Sequence, residues 1–234
     1  MESPLAELAV VVPIGPGERA WRGLVADLGP LPATARVVLV ATSADDLPGP
    51  DDAAVAALAA ELVRLTAPRG RAAQQNAGAR AAERPWLWFL HADSRLAPTT
   101  LPALAAAMTA RRESLGYFDL RFAADGPWAV HVNALGVWIR SRVLGLPFGD
   151  QGFFLRADTF TRLGGFDATL PFGEDHALVW AAHRASVPLV AADAPLVTSA
   201  RKYAEHGWLR TTARHVTLTL QRAWRERRRV RETA

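Results

Sequence analysis

Residues 86–98 read WLWFLHADSRLAP, and this stretch decides the fold. Its first five residues are all apolar, which is typical of a strand buried on both faces of a parallel sheet. The run ends at His91, Ala92 and Asp93. Ligands of open α/β sheets bind at the carboxyl ends of the strands, where a carboxylate can meet a divalent cation and the diphosphate that it bridges. Asp93 is therefore a candidate ligand-binding residue; the alternative is an Asp that caps the following turn.

The residues before and just after this strand alternate between strand and helix patterns. Apolar, β-branched runs predict two further buried strands, at 8–14 and 35–42. Helical spacing of apolar residues predicts helices at 17–28, 51–65, 72–83 and 99–111. The resulting order, β-α-β-α-α-β up to residue 92, is typical of an α/β fold with a mostly parallel sheet flanked by helices.

The second half of the chain has a different pattern, without internal repeats or a low-complexity linker. We predict strands at 115–123, 151–156 and 188–200, the last being either a strand pair or one strand with a break at Pro195. We predict helices at 126–144, 157–163 and 174–185, and a long amphipathic helix at about 206–231. Four tryptophans are expected in the core or on a cleft wall: Trp86, Trp88, Trp128 and Trp138.

Composition and charge restrict the function classes. None of the 234 residues is cysteine, which excludes disulfides, thiolate zinc sites and cysteine nucleophiles. Residues 201–234 hold ten Arg and Lys against three Glu, a local charge of 10 − 3 = +7, whereas the whole chain carries +4. Nucleic-acid binding is not expected, because no aromatic and basic sheet surface accompanies this tail. Residues 208–231 combine Trp and Leu with flanking Arg, which suits either a solvated helix end or an anionic membrane surface.

The N-terminal sequence MESPLAELAVVVP has neither a basic leader nor an apolar core of signal-peptide length, and no run of 18 apolar residues follows. We expect a cytoplasmic protein, with peripheral contact at the inner face of the membrane as an alternative through 208–231.

Two further segments carry candidate functional residues. GRAAQQNAGARAA, at 70–82, opens a helix with Arg71, and a helix N-terminus beside an Arg suits phosphate oxygens. In the segment 148–184, Gly164 and Gly165 predict a tight turn that places Phe166 at a cleft wall. Glu174-Asp175 then starts an apolar-periodic helix, where backbone amides keep a carboxylate ionised, as a general base must be. Each segment also has a purely structural interpretation: a surface helix, and an acidic helix N-terminus.

Taken together, the motifs GRAAQQNAG, FLHADSRL, GDQGFFLR, LGGFD and GED resemble one family in order and spacing. The chain is similar to the inverting family 2 glycosyltransferases of GT-A fold. More narrowly it resembles a small bacterial subgroup with the FLHAD and GDQG motifs, over about residues 8–205. The first strand matches the family pattern only at Pro13 and Glu18. The Asp that usually follows the second strand and binds the nucleotide base is replaced here, with Asp45 or Asp46 as alternatives.

The resemblance implies a Rossmann-like GT-A domain and a metal-assisted displacement. It implies a nucleotide-sugar donor, an unidentified acceptor for which a lipid-linked molecule is one alternative, and a divalent cation, Mn²⁺ or Mg²⁺. Asp175 would be the catalytic base with Glu174 beside it, and Asp93 and His91 would hold the metal. The resemblance assigns donor binding to Pro13, Glu18, Arg71, Asn76, His91 and Asp93, and acceptor binding to Asp150, Gln151 and Phe166.

The expected organisation is one GT-A domain, 1–205, followed by a basic amphipathic C-terminal helix, 206–234. Within the domain, 1–112 would form the nucleotide-binding half and 113–205 the acceptor half. Two other functions remain open at this point. One is a nucleotidyltransferase of similar fold, which PIGPGER at 13–19 fits in part; the other is a degenerate, non-catalytic member that binds a nucleotide.

Overall fold

The computed structural model describes residues 3–49 and 51–200. Within these ranges eight strands form one sheet in the order β3-β2-β1-β4-β7-β6-β8-β5. The strands are β1 (Leu8–Pro13), β2 (Arg36–Ala41), β3 (Glu61–Thr66), β4 (Trp86–Phe89), β5 (Arg95–Leu96), β6 (Leu115–Phe122), β7 (Phe154–Arg156) and β8 (Leu189–Thr198). The helices are α1 (Trp21–Asp27), α2 (Ala53–Ala56), α3 (Arg71–Ala81), α4 (Thr100–Ala110), α5 (Val130–Trp138), α6 (Ala157–Arg162) and α7 (Glu174–Arg184).

Strand pairing divides the sheet into a parallel part and a mixed part. Strands β3, β2, β1 and β4 pair in parallel, as the apolar runs in the first half of the sequence predict. Beyond β4 the short strand β7 is antiparallel to both of its neighbours, β6 and β8 pair in parallel, and β5 is antiparallel to β8. The prediction of an α/β fold with a mostly parallel sheet flanked by helices is confirmed.

The core lies on both faces of the sheet because the central strands are buried on both sides. Alternate residues of β1 belong to two separate apolar clusters: Val10 packs towards α1 and α4, and Val11 packs towards α3 and α7. Every residue of β1, β2 and β4 is buried. The carboxyl ends of these three strands meet at one edge, and this edge holds the candidate active site.

The predicted helix at 51–65 is wrong. Only Ala53–Ala56 is helical, and Glu61–Thr66 is a parallel edge strand that pairs with β2 along its whole length. The run of alanines favours a helix locally, but pairing with β2 outweighs this weak preference. Arg36 fixes the strand by donating from Nε and Nη2 to the two carboxylate oxygens of Glu61, both at 3.0 Å.

Three expectations for the second half are refined. The segment 188–200 is one strand, and its pairing with β6 shifts register between Phe118 and Asp119, so that Asp119 lies opposite Pro195. The predicted helix at 126–144 is α5 followed by a π-helical turn, Ile139–Val143. Trp86 and Trp88 are in the core as expected, but Trp128 and Trp138 are 80% and 46% exposed. The predicted helix at 206–231 lies outside the described residues.

Gly78 determines how closely α3 approaches the sheet. A Cβ added there would lie 2.4 Å from Cγ1 of Val11 and 3.0 Å from Cγ2 of Val40. Gln74, one turn earlier, donates from Nε2 to the carbonyls of Ile14 and Val40 at 2.9 and 2.8 Å, which fixes the helix to the ends of β1 and β2. These contacts set the position of Arg71 at the first turn of α3.

We expect Gly78→Ala to lower the free energy of unfolding by about 1–3 kcal/mol, because overpacking against two β-branched side chains outweighs the better helix propensity of Ala. Gly136→Ala is the matched control in α5, since nothing lies within 4 Å of the added Cβ. It should raise the free energy of unfolding by about 0.5–1 kcal/mol. Denaturant unfolding measures both variants; equal effects would contradict the close contact at Gly78.

Candidate active site

The end of β4 places His91 and Asp93 at the edge of the sheet. The backbone N–H of Ser94 donates to the carbonyl of His91 at 3.0 Å, which closes a turn directly after the strand. Ala92 and Ser94 point inward and are buried, whereas His91 and Asp93 are half-buried. The turn therefore presents an imidazole and a carboxylate on the same side of the strand end.

Arg71 joins this edge to the start of α7. It follows Gly70, whose φ of 132° is available to glycine and unfavourable for other residues. Its Nε donates to Oε1 of Glu174, and its Nη1 lies 3.3 Å from Nε2 of His91. The Glu174 side chain is only 5% exposed, and Arg71 is its ion-pair partner.

Asp175 is held in one orientation at the first turn of α7. Gly173 precedes the helix with a φ of 85° and lets the chain turn into it. The two carboxylate oxygens accept backbone N–H groups: Oδ2 from Gly149 at 2.9 Å and Oδ1 from His176 at 2.8 Å. The side chain is 8% exposed. Both oxygens are thus positioned by the backbone and not by mobile side chains.

The pKa of Asp175 is lowered although the group is buried. Burial is the largest single influence and would raise this pKa, but the charge of Arg71, the N–H groups of Gly149 and His176, and the charge of His91 together outweigh it. Asp175 is therefore ionised at neutral pH. Because its pKa in the folded state lies below the usual value, the stability it contributes is complete at neutral pH and is lost only as the pH falls through the lowered pKa.

Asp150 lies in the 3₁₀ turn Gly149–Gln151, where the charges of Arg71 and Asp175 also act on it. Its Oδ1 atom is buried and accepts no hydrogen bond from the described residues. Burial raises the pKa of Asp150; Arg140 and Arg71 lower it, and the negative charges of Asp175 and Asp93 raise it further. An unsatisfied buried carboxylate oxygen is costly in a folded protein, and such groups concentrate at functional sites.

Gly149 is a residue that the sequence interpretation did not assign. A Cβ added there would lie 3.2 Å from Cβ of Asp175 and 3.6 Å from Nε2 of His91, so the glycine fits between the two functional ends of the site. The GDQGFFLR motif contains the residue, but its role depends on contacts with residues far along the chain. Arg140 was also missed; its guanidinium carbon lies 3.4 Å from the centre of the Phe148 ring.

We expect Gly149→Ala to reduce turnover by about tenfold, because displacing Asp175 by a few tenths of an ångström misaligns a group that must meet its substrate closely. Gly49→Ala is the matched control, since nothing lies within 4 Å of its added Cβ. Steady-state kinetics on both variants measure the effect; a Gly149→Ala enzyme with the turnover of the Gly49→Ala control would show that this contact does not position Asp175.

Two of the predicted site residues also have structural contacts. Phe166 is 3% exposed and packs in the core against Phe89 and Phe160, with ring centres 4.9 and 5.3 Å away, and it also lines a pocket beside Gly164 and Gly165. Asn76 binds the backbone of Phe166 at both ends of its amide: Nδ2 donates to the carbonyl at 2.6 Å, and Oδ1 accepts the N–H at 3.0 Å. Asn76 therefore fixes the Gly164-Gly165 turn, and its assignment to donor binding stays a prediction.

Gln151, Glu18 and Pro13 also have structural contacts. Gln151 is fully buried; its Nε2 donates to the carbonyl of Phe118 at 2.9 Å, and its Oε1 accepts from Phe148 N. These bonds hold the Gly149–Gln151 turn, and the assignment of Gln151 to acceptor binding stays a prediction. Oε1 of Glu18 accepts the backbone N–H groups of the next two residues at 2.8 and 2.7 Å, before α1 begins. Pro13 is buried as the last residue of β1.

The described residues contain no group of three His, Asp or Glu side chains that together could hold a metal ion. A protein-only metal cage is therefore not built from these residues. Mg²⁺ and similar cations, however, bind through one or two carboxylates together with substrate phosphates and water. The half-buried Asp93, close enough to Asp150 for its charge to raise that pKa, fits such a shared site, with His91 beside it.

Comparison with known sequences identifies the family. Residues 49–166, which include α3, β4, Asp93 and Asp150, match the sequence model described as glycosyl transferase family 2. The chain belongs to glycosyl transferase family 2. No curated protein matches the chain significantly.

Solved structures have the same GT-A fold at low sequence identity. The S. aureus TarS fragment 1–349 in complex with UDP has a TM-score of 0.64 at 18% identity, over 82% of this chain and 60% of that one. The same fragment with UDP-GlcNAc has a TM-score of 0.59 at 16% identity, over 82% and 58%. The mannosyltransferase PcManGT from Pyrobaculum calidifontis, in complex with GDP-Man and Mn²⁺, has a TM-score of 0.62 at 21% identity, over 94% and 64%. This family 2 chain thus spans less than two thirds of each.

No helix within 3–49 or 51–200 is both long enough and apolar enough to cross a membrane.

Proposed function

We propose that this family 2 chain is an inverting glycosyltransferase, which moves a sugar from a nucleotide-diphosphate donor to an acceptor hydroxyl with the aid of a divalent cation. One observation carries the proposal: Arg71 contacts both His91 and Glu174. This side chain joins the strand end that bears Asp93 to the helix start that bears Asp175. Two carboxylates from distant parts of the sequence therefore border one site, as a transfer between a bound donor and a bound acceptor requires.

The donor side is the edge formed by the ends of β1, β2 and β4. Arg71 and His91 supply donors for phosphate oxygens. Asp46 accepts the backbone N–H of Gly17 at 2.8 Å through Oδ1 and so ties together the loops after β1 and β2, whereas Asp45 is exposed and is the candidate for contacting the nucleotide base. Nucleotide sugars of two kinds, UDP-GlcNAc and GDP-Man, occupy the structural neighbours, which supports this class of donor.

Asp175 acts as the general base in the proposed reaction. The acceptor oxygen attacks the anomeric carbon as the bond from that carbon to the diphosphate oxygen breaks. The hydroxyl proton passes to a carboxylate oxygen of Asp175, and the diphosphate departs with the bonding electrons, so the configuration at the anomeric carbon inverts. The backbone N–H groups of Gly149 and His176 keep the carboxylate ionised and oriented before the acceptor binds.

Asp93 and His91 are the residues that would hold Mn²⁺ or Mg²⁺ against the donor diphosphate. When bound, the cation takes up negative charge on the leaving diphosphate without a proton donor. Asp150 adds a carboxyl group with a buried, unsatisfied oxygen to the same region, which suits either the cation shell or an acceptor hydroxyl.

The proposal retains the division into a nucleotide-binding half, 1–112, an acceptor half, 113–205, and a C-terminal segment, 206–234. The acceptor is unidentified, and a lipid-linked acceptor accords with the Trp, Leu and Arg pattern of 208–231, which would contact the membrane peripherally from the cytoplasmic side. Those residues lie outside the described ranges.

A screen of nucleotide sugars with Mn²⁺ tests the proposal. We expect one donor to raise the melting temperature and to release its nucleoside diphosphate slowly by hydrolysis when no acceptor is present. Substitution of a non-hydrolysable donor analogue should retain the melting shift and abolish the release. A chain that binds no nucleotide sugar would contradict the proposal; binding without any release, even with acceptor extracts, would identify the non-catalytic alternative.

A further inference from the structure

The outer face of the α5 region is apolar and exposed. The helix α5 and the π-helical turn that follows it carry large hydrophobic side chains that are 43–80% exposed. They are Trp128, Val132, Leu135, Trp138, Ile139, Val143 and Leu144. Apart from Phe172, they are all of the large exposed hydrophobic side chains among the described residues. We call this set the α5 stripe.

The spacing of these residues shows that they form one surface. Residues 128, 132, 135, 139 and 143 are separated by four, three, four and four positions, which places them along one side of a helix. The opposite side of the same helix is already packed: Val130 is 2% exposed, and the hydroxyl of Tyr117 donates to the carbonyl of Ser141 at 3.0 Å. The helix is therefore apolar on both sides, a pattern that normally belongs to a buried helix.

Leaving this stripe in water would be unfavourable, because a group of seven exposed large hydrophobic residues, five of them along one side of a helix, is rare on a monomer and marks an interaction surface. Two of the seven are tryptophans, one before α5 and one at its last residue. Tryptophan is enriched where an apolar surface meets a wet one, as at the headgroup level of a bilayer. The two tryptophans thus favour a lipid surface over a purely apolar protein groove.

The chain itself supplies positive charge at the start of the stripe. The described part of the chain ends at Ala200, which is buried against Val130 at the beginning of α5. The N–H of Ala200 donates to Oδ1 of Asp125 at 2.7 Å, and this bond fixes where the next residues begin. Residues 201–234 then carry ten Arg and Lys against three Glu. A strongly basic segment of 34 residues therefore starts beside the apolar stripe.

We propose that the α5 stripe docks on an anionic lipid bilayer, with its tryptophans and aliphatic side chains at the headgroup boundary, and that the positive charge of residues 201–234 adds to the attraction. Apolar burial and positive charge acting together provide stable attachment to a membrane surface, where either one alone is weak. The docking does not depend on the transfer reaction. It adds α5 and the turn that follows it to the membrane contact proposed for 208–231.

Docking on this face would also bring the acceptor side of the site close to the membrane, an inference that rests on the proposed function. The stripe ends at Leu144, five positions before Gly149, whose N–H holds Asp175. The acceptor side of the site would therefore lie close to the lipid surface. This position favours an acceptor hydroxyl carried by a membrane lipid.

Vesicle flotation with the full chain tests the docking. We expect the wild type to float with vesicles of phosphatidylcholine and phosphatidylglycerol and to float weakly with phosphatidylcholine alone. Leu135→Gln combined with Ile139→Gln should reduce partitioning at least tenfold, because it removes two exposed apolar side chains without changing the charge. The matched control is Ala106→Gln combined with Thr109→Gln on the exposed side of α4, which packs on the other face of the sheet. It should float like the wild type.

Three results would overturn the inference: a wild type that does not float, a stripe variant that floats as the wild type does, or a wild-type dimer in sedimentation that the stripe variant dissociates. The last would assign the stripe to a second copy of the chain. Melting temperature and nucleotide-sugar binding measured on the same variants separate the two proposals, because a loss of flotation with donor binding retained concerns the stripe alone.

Discussion

Replacing Asp175 by Asn is expected to reduce sugar transfer by about 10²–10⁴-fold while leaving nucleotide-sugar affinity nearly unchanged. The amide keeps one oxygen that can accept the N–H of Gly149 but loses the acceptor for the N–H of His176, which is why the folding of the variant has to be measured. It removes the negative charge and the capacity to accept a proton. The loss should appear in kcat rather than in the donor KM, because the base acts only as the acceptor hydroxyl reacts.

The control for this variant is Asp158→Asn. Asp158 is an exposed carboxylate of α6 that pairs with Arg156 at 3.0 Å, and it lies outside the proposed site. It should change neither kcat nor KM. Single-turnover measurements with saturating donor isolate the chemical step, and the melting temperature establishes that the Asp175→Asn protein is folded. Transfer by this variant at the wild-type rate would remove Asp175 from the mechanism.

Replacing Asp93 by Asn should abolish the dependence of nucleotide binding on the divalent cation. In the wild type we expect Mn²⁺ to strengthen the binding of the nucleoside diphosphate on the order of a hundredfold, because the cation offsets several kcal/mol of charge on the diphosphate. Asp93 is half-buried after β4, and the Asn amide has nearly the shape of the carboxylate, so the variant should fold. Its binding should be equally weak with and without Mn²⁺.

Isothermal titration with and without Mn²⁺ measures this effect directly. Glu113→Gln, which removes an exposed carboxylate at the other end of the sheet, should retain the full response to the cation. If the wild type binds the diphosphate equally well in EDTA, then neither Asp93 nor a cation contributes to donor binding, and the phosphates are held by Arg71 and the helix N-terminus instead.

The sequence predicts the central fold well, because buried parallel strands have a direct signature. Uninterrupted apolar runs at β1, β2 and β4 require burial on both faces, and the structure buries every residue of these strands. The edge strand β3 was missed for the opposite reason. Its residues are exposed or half-buried and follow an alanine run, so that only pairing with β2 makes them a strand.

The candidate site was predictable where local sequence fixes position. Asp93 follows a buried strand and Asp175 begins a helix, and both features can be recognised within a few residues of sequence. Asn76 and Phe166 show what local sequence does not reveal. Both lie in the expected motifs, but the Asn76 amide hydrogen-bonds to the backbone of Phe166, 90 positions along the chain. Such long-range hydrogen bonds have no local signal, and neither does the contact between Gly149 and Asp175.

The two tryptophans of the α5 stripe show a further limit. Their sequence context is apolar, and apolar context predicts burial. The structure exposes them because α5 already has a packed inner face, with Val130 and Ser141 turned to the sheet. Periodicity alone cannot distinguish a helix with two apolar faces in a core from one that meets a bilayer.

The central claim is that Asp93 and Asp175 serve one reaction from opposite sides of one site. Anomalous diffraction from crystals grown with Mn²⁺ and the nucleotide sugar selected by the screen tests it most directly. We predict one manganese peak in contact with the Asp93 carboxylate and two diphosphate oxygens, with the anomeric carbon on the side of Asp175. A nucleotide sugar bound elsewhere, or bound at this edge with its sugar turned away from Asp175, would contradict the account.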